Sequence, residues 1–220
     1  MTDFLKRFLT ENKDLLSEDP NNTDYQKLFD NWAEYVSPRP SFSDEDKAEF
    51  DLLYLLFKAG ISLDMILSGM DSIPGGMFTY IKGKLDLSRY KIYAIEDEGF
   101  RDLFGTSELE EIILPKSLES IGSVAFDGCD FLKKVIFNDG LKEIQGEAFR
   151  HCRSLTEVNL PDSLDEIESG AFSFCSNLVK VSIPKRFEDQ LTDIFYDDLK
   201  GSFKKGYTPL LKRKIDFELR

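Results

Sequence analysis

The sequence predicts an α+β chain: a small helical region over residues 1–70, a solenoid of short repeats over residues 71–184, and a cap over residues 185–220. The solenoid is predicted because the same residue types return every 23 positions, which is typical of coils that bury their apolar side by stacking on one another. The helical region is predicted because residues that cap helices precede apolar residues with helical spacing. The repeated positions are Ala125-Phe126, Ala148-Phe149 and Ala171-Phe172, then Cys129, Cys152 and Cys175, and then Leu132, Leu155 and Leu178.

The first 70 residues are expected to form helices. Thr2, Thr23 and Ser43 can each cap a helix, because a hydroxyl oxygen accepts a hydrogen bond from the free N–H groups of the first turn. Prolines separate these three segments, since a proline ring interrupts a helix. A short fourth helix is expected to start at Ser62 and to reach Leu67.

Each repeat contains two extended pieces. The first reads Leu-x-x-Val-x-apolar, and its last two apolar residues lie two positions apart, so they share one face of a β-strand. The second reads Leu-x-x-Ile. The clearest sets are Leu109-Ile112-Leu114, Leu132-Val135-Phe137, Leu155-Val158-Leu160 and Leu178-Val181-Ile183 for the first piece, and Leu118-Ile121, Leu141-Ile144 and Leu164-Ile167 for the second. Earlier, less regular coils are expected at Phe100 and Phe78.

The C-terminal segment is expected to close the end of the solenoid. Apolar residues between Phe187 and Leu199 have helical spacing, and Lys214–Leu219 reads as a strand. The tail is basic, with Lys204-Lys205 and Lys212-Arg213-Lys214. It either packs as a cap, with lysine alkyl chains along its apolar residues, or serves as a charged patch for nucleic acid or for the acidic side of a second copy.

The repeat in residues 155–178, Leu-x-x-Val-x-Leu-Pro-x-Ser-Leu-x-x-Ile-x-x-x-Ala-Phe-x-x-Cys-x-x-Leu with its own spacing, resembles the BspA-like leucine-rich repeats, leucine-rich repeat family 5. The resemblance does not extend to residues 1–70. It implies a curved leucine-rich-repeat solenoid that binds other macromolecules, usually proteins. Some relatives act in adhesion at cell surfaces, and similar short proteins occur on bacteriophages and mobile elements.

The charge of the chain narrows the choice of partner. The net charge of −13 disfavours direct binding to nucleic acid or to an anionic membrane and favours basic protein partners, although it also simply keeps the protein in solution. Charges at Lys6-Arg7 break the first apolar stretch, so no signal peptide is expected, and no apolar run is long enough for a membrane span. We therefore expect a cytoplasmic protein whose cysteines are thiols.

No chemical site is expected. Stacked coils place the three cysteines in a line, whereas a zinc ion needs about four ligands that converge tetrahedrally. The single histidine, His151, has no nucleophile placed beside it by a recognisable motif. Residues 73–77 contain two glycines but none of the phosphate-binding loop patterns. We therefore expect no catalysis, no cofactor and no metal.

Residues that the repeat does not use for packing are the candidates for binding. Outward positions of the first strand form two columns, and the second extended piece carries acids; the three sets are Ile113, Ile136, Asn159 and Ser182, then Glu111, Lys134, Glu157 and Lys180, and then Glu143, Glu166 and Glu168. The alternating charges either neutralise one another or frame an apolar contact spot at Ile113 and Ile136. The acids either solvate the protein or bind a basic partner.

Three function classes follow. The first is a non-enzymatic protein–protein interaction module that uses the solenoid surface. The second is a phage or mobile-element inhibitor of a host protein, with the acidic flank as a nucleic-acid mimic. The third is a structural or assembly subunit, in which self-association is left open.

Overall fold

The computed structural model describes residues 10–11, 13–15, 27–28, 63–68, 70–75, 77–78, 81–102, 107–196 and 215–220. Within them the chain forms stacked coils in which every strand pair is parallel, so the predicted solenoid is confirmed. From residues 1–70 the structure shows helix α1, Leu63–Ser68, and a 3-10 helix at Lys13–Leu15. Most of the three longer predicted helices lies outside the described residues, and the domain boundaries at residues 70 and 184 stay predictions.

The short extended pieces stack into one continuous sheet. Its outward residues alternate with buried isoleucines, of which Ile121 and Ile144 are fully buried, because successive residues of a strand point to opposite faces. Each isoleucine stacks in register on that of the next coil. The five strands, in spatial order, are β1 (Ser72–Ile73), β3 (Ala94–Ile95), β5 (Ser120–Ile121), β7 (Glu143–Ile144) and β9 (Glu166–Ile167).

The longer extended pieces form two sheets of three strands each, on another side of the coils. Inward residues such as Ile112, Val158 and Val181 are buried, and the alternate residues point outward. We call the outward side of these six strands the long-strand face. The strands are β2 (Lys82–Asp86), β4 (Glu108–Ile113) and β6 (Lys134–Ile136) in one sheet, and β8 (Glu157–Asn159), β10 (Lys180–Ile183) and β11 (Asp216–Leu219) in the other.

A stack of phenylalanine rings runs through the core. The rings of Phe126, Phe149 and Phe172 are parallel to within 4°, with centroids 4.8 and 5.0 Å apart. This spacing matches the distance between adjacent strands of a sheet, because one ring comes from each coil. Phe100 and Phe78 continue the stack at 4.6 and 4.5 Å, which confirms the two earlier, irregular coils.

The stack also extends past the last predicted coil. The ring of Phe195 lies 5.4 Å from that of Phe172, and Phe172 N–H donates to the carbonyl oxygen of Ile194. We predicted helical structure from Phe187 to Leu199; the structure has a 3-10 helix, Lys185–Gln190, followed by the single turn α2, Leu191–Ile194, and residues 197–199 lie outside the described residues. The 23-residue interval from Phe172 to Phe195 indicates a further stacked ring, but the neighbouring apolar residues have helical spacing, and we therefore assigned Phe195 to a helix.

The turns between strands use left-handed backbone at fixed points. Val124, Glu147 and Gly170 stand 23 residues apart, with φ of 50°, 58° and 72°. A second such column contains His151 and Phe174, with φ of 58° and 59°. Non-glycine residues rarely adopt this conformation, and a β-branched residue such as Val124 adopts it least readily. The stacking of the coils therefore imposes a backbone that several of these residues disfavour.

Candidate protein-binding surface

Charged residues alternate in sign along the first half of the long-strand face. Lys84, Glu111 and Lys134 are register partners on β2, β4 and β6. The Nζ atom of Lys84 lies 3.2 Å from Glu111 Oε1, and that of Lys134 lies 4.0 Å from the same oxygen. Both lysines are more than half exposed, so these pairs contribute little to stability. Glu111 is therefore held mainly by Lys84, and Lys134 is the more loosely paired cation.

The alternation continues in the second half, but there the charges do not close into pairs. Glu157, Lys180 and Asp216 are register partners on β8, β10 and β11. Within the described residues none of these three side chains forms an ion pair. All three are exposed. Their charges are therefore open to a partner.

A second column of outward residues is apolar in the first half of the long-strand face and polar in the second half. Ile113 and Ile136 are register partners and are half-buried. Asn159 is exposed, and its register partner Ser182 is in turn aligned with Glu218 on β11. We expected Ser182 to lie outward and accessible, yet it is 7% exposed. It sits on the central strand of its sheet, where the longer side chains of both neighbouring strands flank it.

The two halves meet at a break in the sheet. β6 and β8 lie next to each other, but among the described strands the pairing of one sheet ends at β6 and that of the other begins at β8. At this level Phe137 replaces the leucine found at Leu114 and Leu160 in the neighbouring coils. Its ring packs edge-on against Phe149, with centroids 5.8 Å apart, and is partly exposed. We attribute the break to this larger side chain.

A groove of about 650 Å³ opens at the break. It reaches inward as far as Val135 and Val158, the core residues of β6 and β8, which shows that the two strands are parted there. Four basic and two acidic side chains line it, together with neutral polar ones. The lining residues are Lys133, Lys134, Val135, Thr156, Glu157, Val158, Asn159, Lys180, Ser182, Glu218 and Arg220.

Five of these lining residues were among the sequence candidates, namely Lys134, Glu157, Asn159, Lys180 and Ser182. Sequence reasoning missed Glu218 and Arg220, because β11 joins β10 in register after an interval of 36 residues instead of 23. The guanidinium of Arg220 donates to the carbonyl oxygen of Leu160 and lies 3.6 Å from Asp162 Oδ1. Arg220 therefore fixes one end of the groove.

The acidic flank lies on the short strands, away from this groove. Glu143 and Glu166 are register partners on β7 and β9, so two like charges stand side by side. Glu143 accepts a hydrogen bond from Gln145 Nε2 at 2.9 Å, and Glu168 accepts one from Gly146 N–H at 2.7 Å. Glu168 is therefore used by the fold, and the exposed Glu166 is the freer carboxylate.

One lysine, Lys142, offsets part of the negative charge of this flank. The Nζ atom of Lys142 lies 2.8 Å from Glu119 Oε2, and this hydrogen bond, with the attraction of the same carboxylate, raises the pKa of Lys142. The two residues directly precede β7 and β5, which are neighbours in the sheet of short strands, and both side chains are about half exposed.

The cysteines are used by packing. All three are buried free thiols, and each donates to the carbonyl oxygen of a stacked phenylalanine in a preceding coil, at 3.1–3.3 Å. Burial raises the pKa of the Cys129 and Cys152 thiols well above the usual range, and nearby carboxylates such as Asp127 add to the shift. Within the described residues no group of three or more metal-ligating side chains is brought together.

His151 belongs to an ion cluster that the sequence did not predict. Its Nδ1 atom lies 3.1 Å from Asp127 Oδ1, and Arg101 and Arg150 approach the same carboxylate at 3.4 and 3.9 Å. Arg150 also lies 2.6 Å from Glu147, and the histidine ring lies 4.8 Å from that of Phe174. These contacts join four successive coils, those of Phe100, Phe126, Phe149 and Phe172, so the cluster stabilises the stacking of the coils.

The sequence profile described as "BspA type Leucine rich repeat region (6 copies)" matches residues 94–203. The match spans half of the chain and coincides with the stacked coils described above. The chain belongs to the BspA-type leucine-rich repeat family. Proteins of this family are generally protein-interaction or surface modules. The resemblance noted from the repeated motif is thus confirmed.

Several solved structures are similar to this BspA-type chain. A leucine-rich cell surface protein from Faecalibacterium prausnitzii A2-165 is 26% identical, with a TM-score of 0.43, over 46% of this chain and 26% of the other. The pneumococcal vaccine antigen PcpA is 20% identical, with a TM-score of 0.45, over 51% and 27%. The T. pallidum leucine-rich repeat protein TpLRR is 27% identical, with a TM-score of 0.39, over 56% and 66%.

The chain thus spans about a quarter of the length of the first two structures. No curated protein matches it. Among the helices that the structure describes, none has the length and apolar character needed to cross a bilayer.

Proposed function

We propose that this BspA-type chain is a non-enzymatic protein-binding module whose contacts lie on the long-strand face. One observation supports this most directly: two half-buried isoleucines, the register partners Ile113 and Ile136, lie on a largely polar face, and Ile136 is on β6, which borders the groove. Apolar side chains framed by polar ones are typical of protein contact sites. The coils beneath this face are rigidly packed, so a partner would meet a preformed surface.

The test compares variants of this face with a matched control. A tagged chain is used to capture proteins from cells that express it, a captured protein is purified, and its affinity for each variant is measured. Ile136→Asp should weaken binding at least about 30-fold, because it places a charge in an apolar contact of about 2 kcal/mol or more. Phe131→Asp changes a 47% exposed residue outside the long-strand face and should leave the affinity unchanged.

Folding of each variant is checked by far-UV circular dichroism, because Ile136 is half-buried. Equal affinities for Ile136→Asp, Ile113→Asp and the wild type would remove the long-strand face as the contact surface. A loss of affinity in Phe131→Asp, but in neither isoleucine variant, would place the contact surface on the turns instead.

The two other functions predicted from the sequence have distinct signatures. An acidic nucleic-acid mimic would compete with nucleic acid for a basic protein, in a salt-sensitive manner that is lost when Glu143 and Glu166 are changed to lysine. An assembly subunit that self-associates would show a mass that rises with concentration in light scattering. The placement in the cytoplasm also stays a prediction, and fluorescence localisation of a tagged chain would test it.

A further inference from the structure

The lining of the groove at the break between β6 and β8 has more basic than acidic side chains, whereas the protein as a whole is acidic. The whole chain has 41 acidic and 28 basic residues, whereas the groove is lined by four basic and two acidic side chains. A cation that its neighbours leave unneutralised attracts an anionic group to one place on a protein whose acidic surface repels such groups elsewhere.

The cations of the groove differ in how far they are already neutralised. Lys133 lies 2.9 Å from Glu110, and Arg220 is engaged with Leu160 and Asp162. Lys134 shares the carboxylate of Glu111 with the closer Lys84. Lys180 forms no ion pair within the described part of the chain. Lys134 and Lys180 are therefore the two cations that can take up an external carboxylate.

Neutral hydrogen-bonding groups lie next to these two lysines. Asn159 on β8 and Thr156 just before this strand line the groove, and both are exposed. Val179, at the entry to β10, is 54% exposed and lies next to Thr156, whose carbonyl oxygen accepts a hydrogen bond from Val179 N–H. The groove thus offers two cations, an amide and a hydroxyl, with an apolar side chain at its rim.

Resting on the function proposed above, we infer that this groove binds an extended acidic segment of a protein partner, with carboxylates at Lys134 and Lys180. The two lysines stand two strands apart; this would be roughly 10 Å in a continuous sheet, and it is a lower bound here because β6 and β8 are parted. Carboxylates on one side of an extended chain recur at roughly 7 Å, so neighbouring carboxylates of the partner, on flexible side chains, reach both lysines.

Glu157 allows the direction of a change in affinity to be predicted. It lies on the strand between the two lysines, aligned with Lys180, and it opposes an incoming carboxylate. Removal of its charge should therefore strengthen the binding of an acidic segment and weaken that of a basic one. The opposite pattern would follow if the groove bound a basic partner through Glu157 and Glu218.

The experiment uses the full chain and three capped 12-residue peptides, with glutamate, glutamine or lysine at every second position and serine and valine between. Binding is followed by ¹⁵N–¹H NMR at low salt. The glutamate peptide should shift the amide signals of residues 133–136, 156–160 and 180–183, and the other two peptides should not. Lys134→Gln and Lys180→Gln should each weaken binding about 3-fold, and Glu157→Gln should strengthen it by a similar factor.

Lys142→Gln is the matched control, because it removes one positive charge from the acidic flank instead of the groove. An equal loss in Lys142→Gln would mean that only net charge matters and would overturn the proposal. Tighter binding of the lysine peptide, or shifts confined to other surfaces, would also overturn it. None of these three results would contradict the broader proposal, which depends on Ile113 and Ile136 and is tested with a captured partner.

Discussion

Truncation of a stacked ring in the core, Phe149→Ala, should be among the most damaging single changes. Phe149 is fully buried and contacts three other rings: Phe126 at 4.8 Å, Phe172 at 5.0 Å and Phe137 edge-on at 5.8 Å. Loss of a buried phenylalanine side chain costs about 3–5 kcal/mol. Each aromatic pair adds about 0.5–1.5 kcal/mol beyond burial, so we expect the upper part of that range, about 4–5 kcal/mol.

The measurement is the free energy of unfolding from urea titrations followed by far-UV circular dichroism. Phe149→Leu keeps most of the volume but loses the ring contacts, and should cost about 1–2 kcal/mol. Phe131→Ala removes a ring that is 47% exposed and should change stability by no more than about 0.5 kcal/mol.

The damage should also spread along the stack. Each coil is stabilised mainly by its two neighbours, so hydrogen exchange of the amides of Phe126 and Phe172 should accelerate more than that of Phe78, which lies three coils away. The reasoning is refuted if Phe149→Ala costs less than about 1.5 kcal/mol, or if exchange accelerates equally in all coils.

Three further predictions concern the backbone, the break in the sheet and the buried thiols. Val124→Asn should raise the free energy of unfolding by about 0.5–1 kcal/mol, because asparagine tolerates the φ of 50° better than a β-branched residue; no gain over Val124→Ala would contradict this. Phe137→Leu should let β6 and β8 pair, and slower hydrogen exchange at residues 135–137 and 157–159 would show it; unchanged exchange would assign the break to another cause. Burial raises the pKa of Cys129 and Cys152, so the folded state favours the neutral thiols: this stability is fully present below the unfolded pKa of about 8.5 and is lost as the pH rises above it. The urea midpoint should therefore fall between pH 7 and pH 9.5, and it should fall less in a variant with alanine at both positions.

Much of the fold was predictable because the repeat is a local signal. The 23-residue interval identified Phe126, Phe149 and Phe172 as core, and the structure stacks them. The same interval extends to Phe195, which we assigned to a helix, because apolar residues spaced three or four apart gave a competing local pattern. Short-range periodicity does not distinguish a tight turn from a helix when the buried positions coincide.

The candidate surface was predictable only in part. The outward positions of β4, β6, β8 and β10 follow from the alternation of side chains along a strand. The charges that alternate between neighbouring strands could be read from the aligned repeats. The burial of Ser182 did not follow, because it depends on Glu218 from β11, whose pairing is set by a 36-residue interval outside the repeat. The groove lies between strands that the repeat alone would pair continuously.

That the chain is a solenoid, which residues fill its core, and that the three cysteines are buried in it all followed from the sequence alone. These properties follow from residue type and a fixed interval. Because each coil repeats the pattern of its neighbours, equivalent residues of adjacent coils pack against one another. Where the strands of the long-strand face part, and which charged side chains stay unpaired there, became visible only in the folded structure. The larger ring of Phe137 lies at the break, and a strand from outside the repeat joins the sheet next to it, so the coils are no longer equivalent; the groove between them is lined by more basic than acidic side chains.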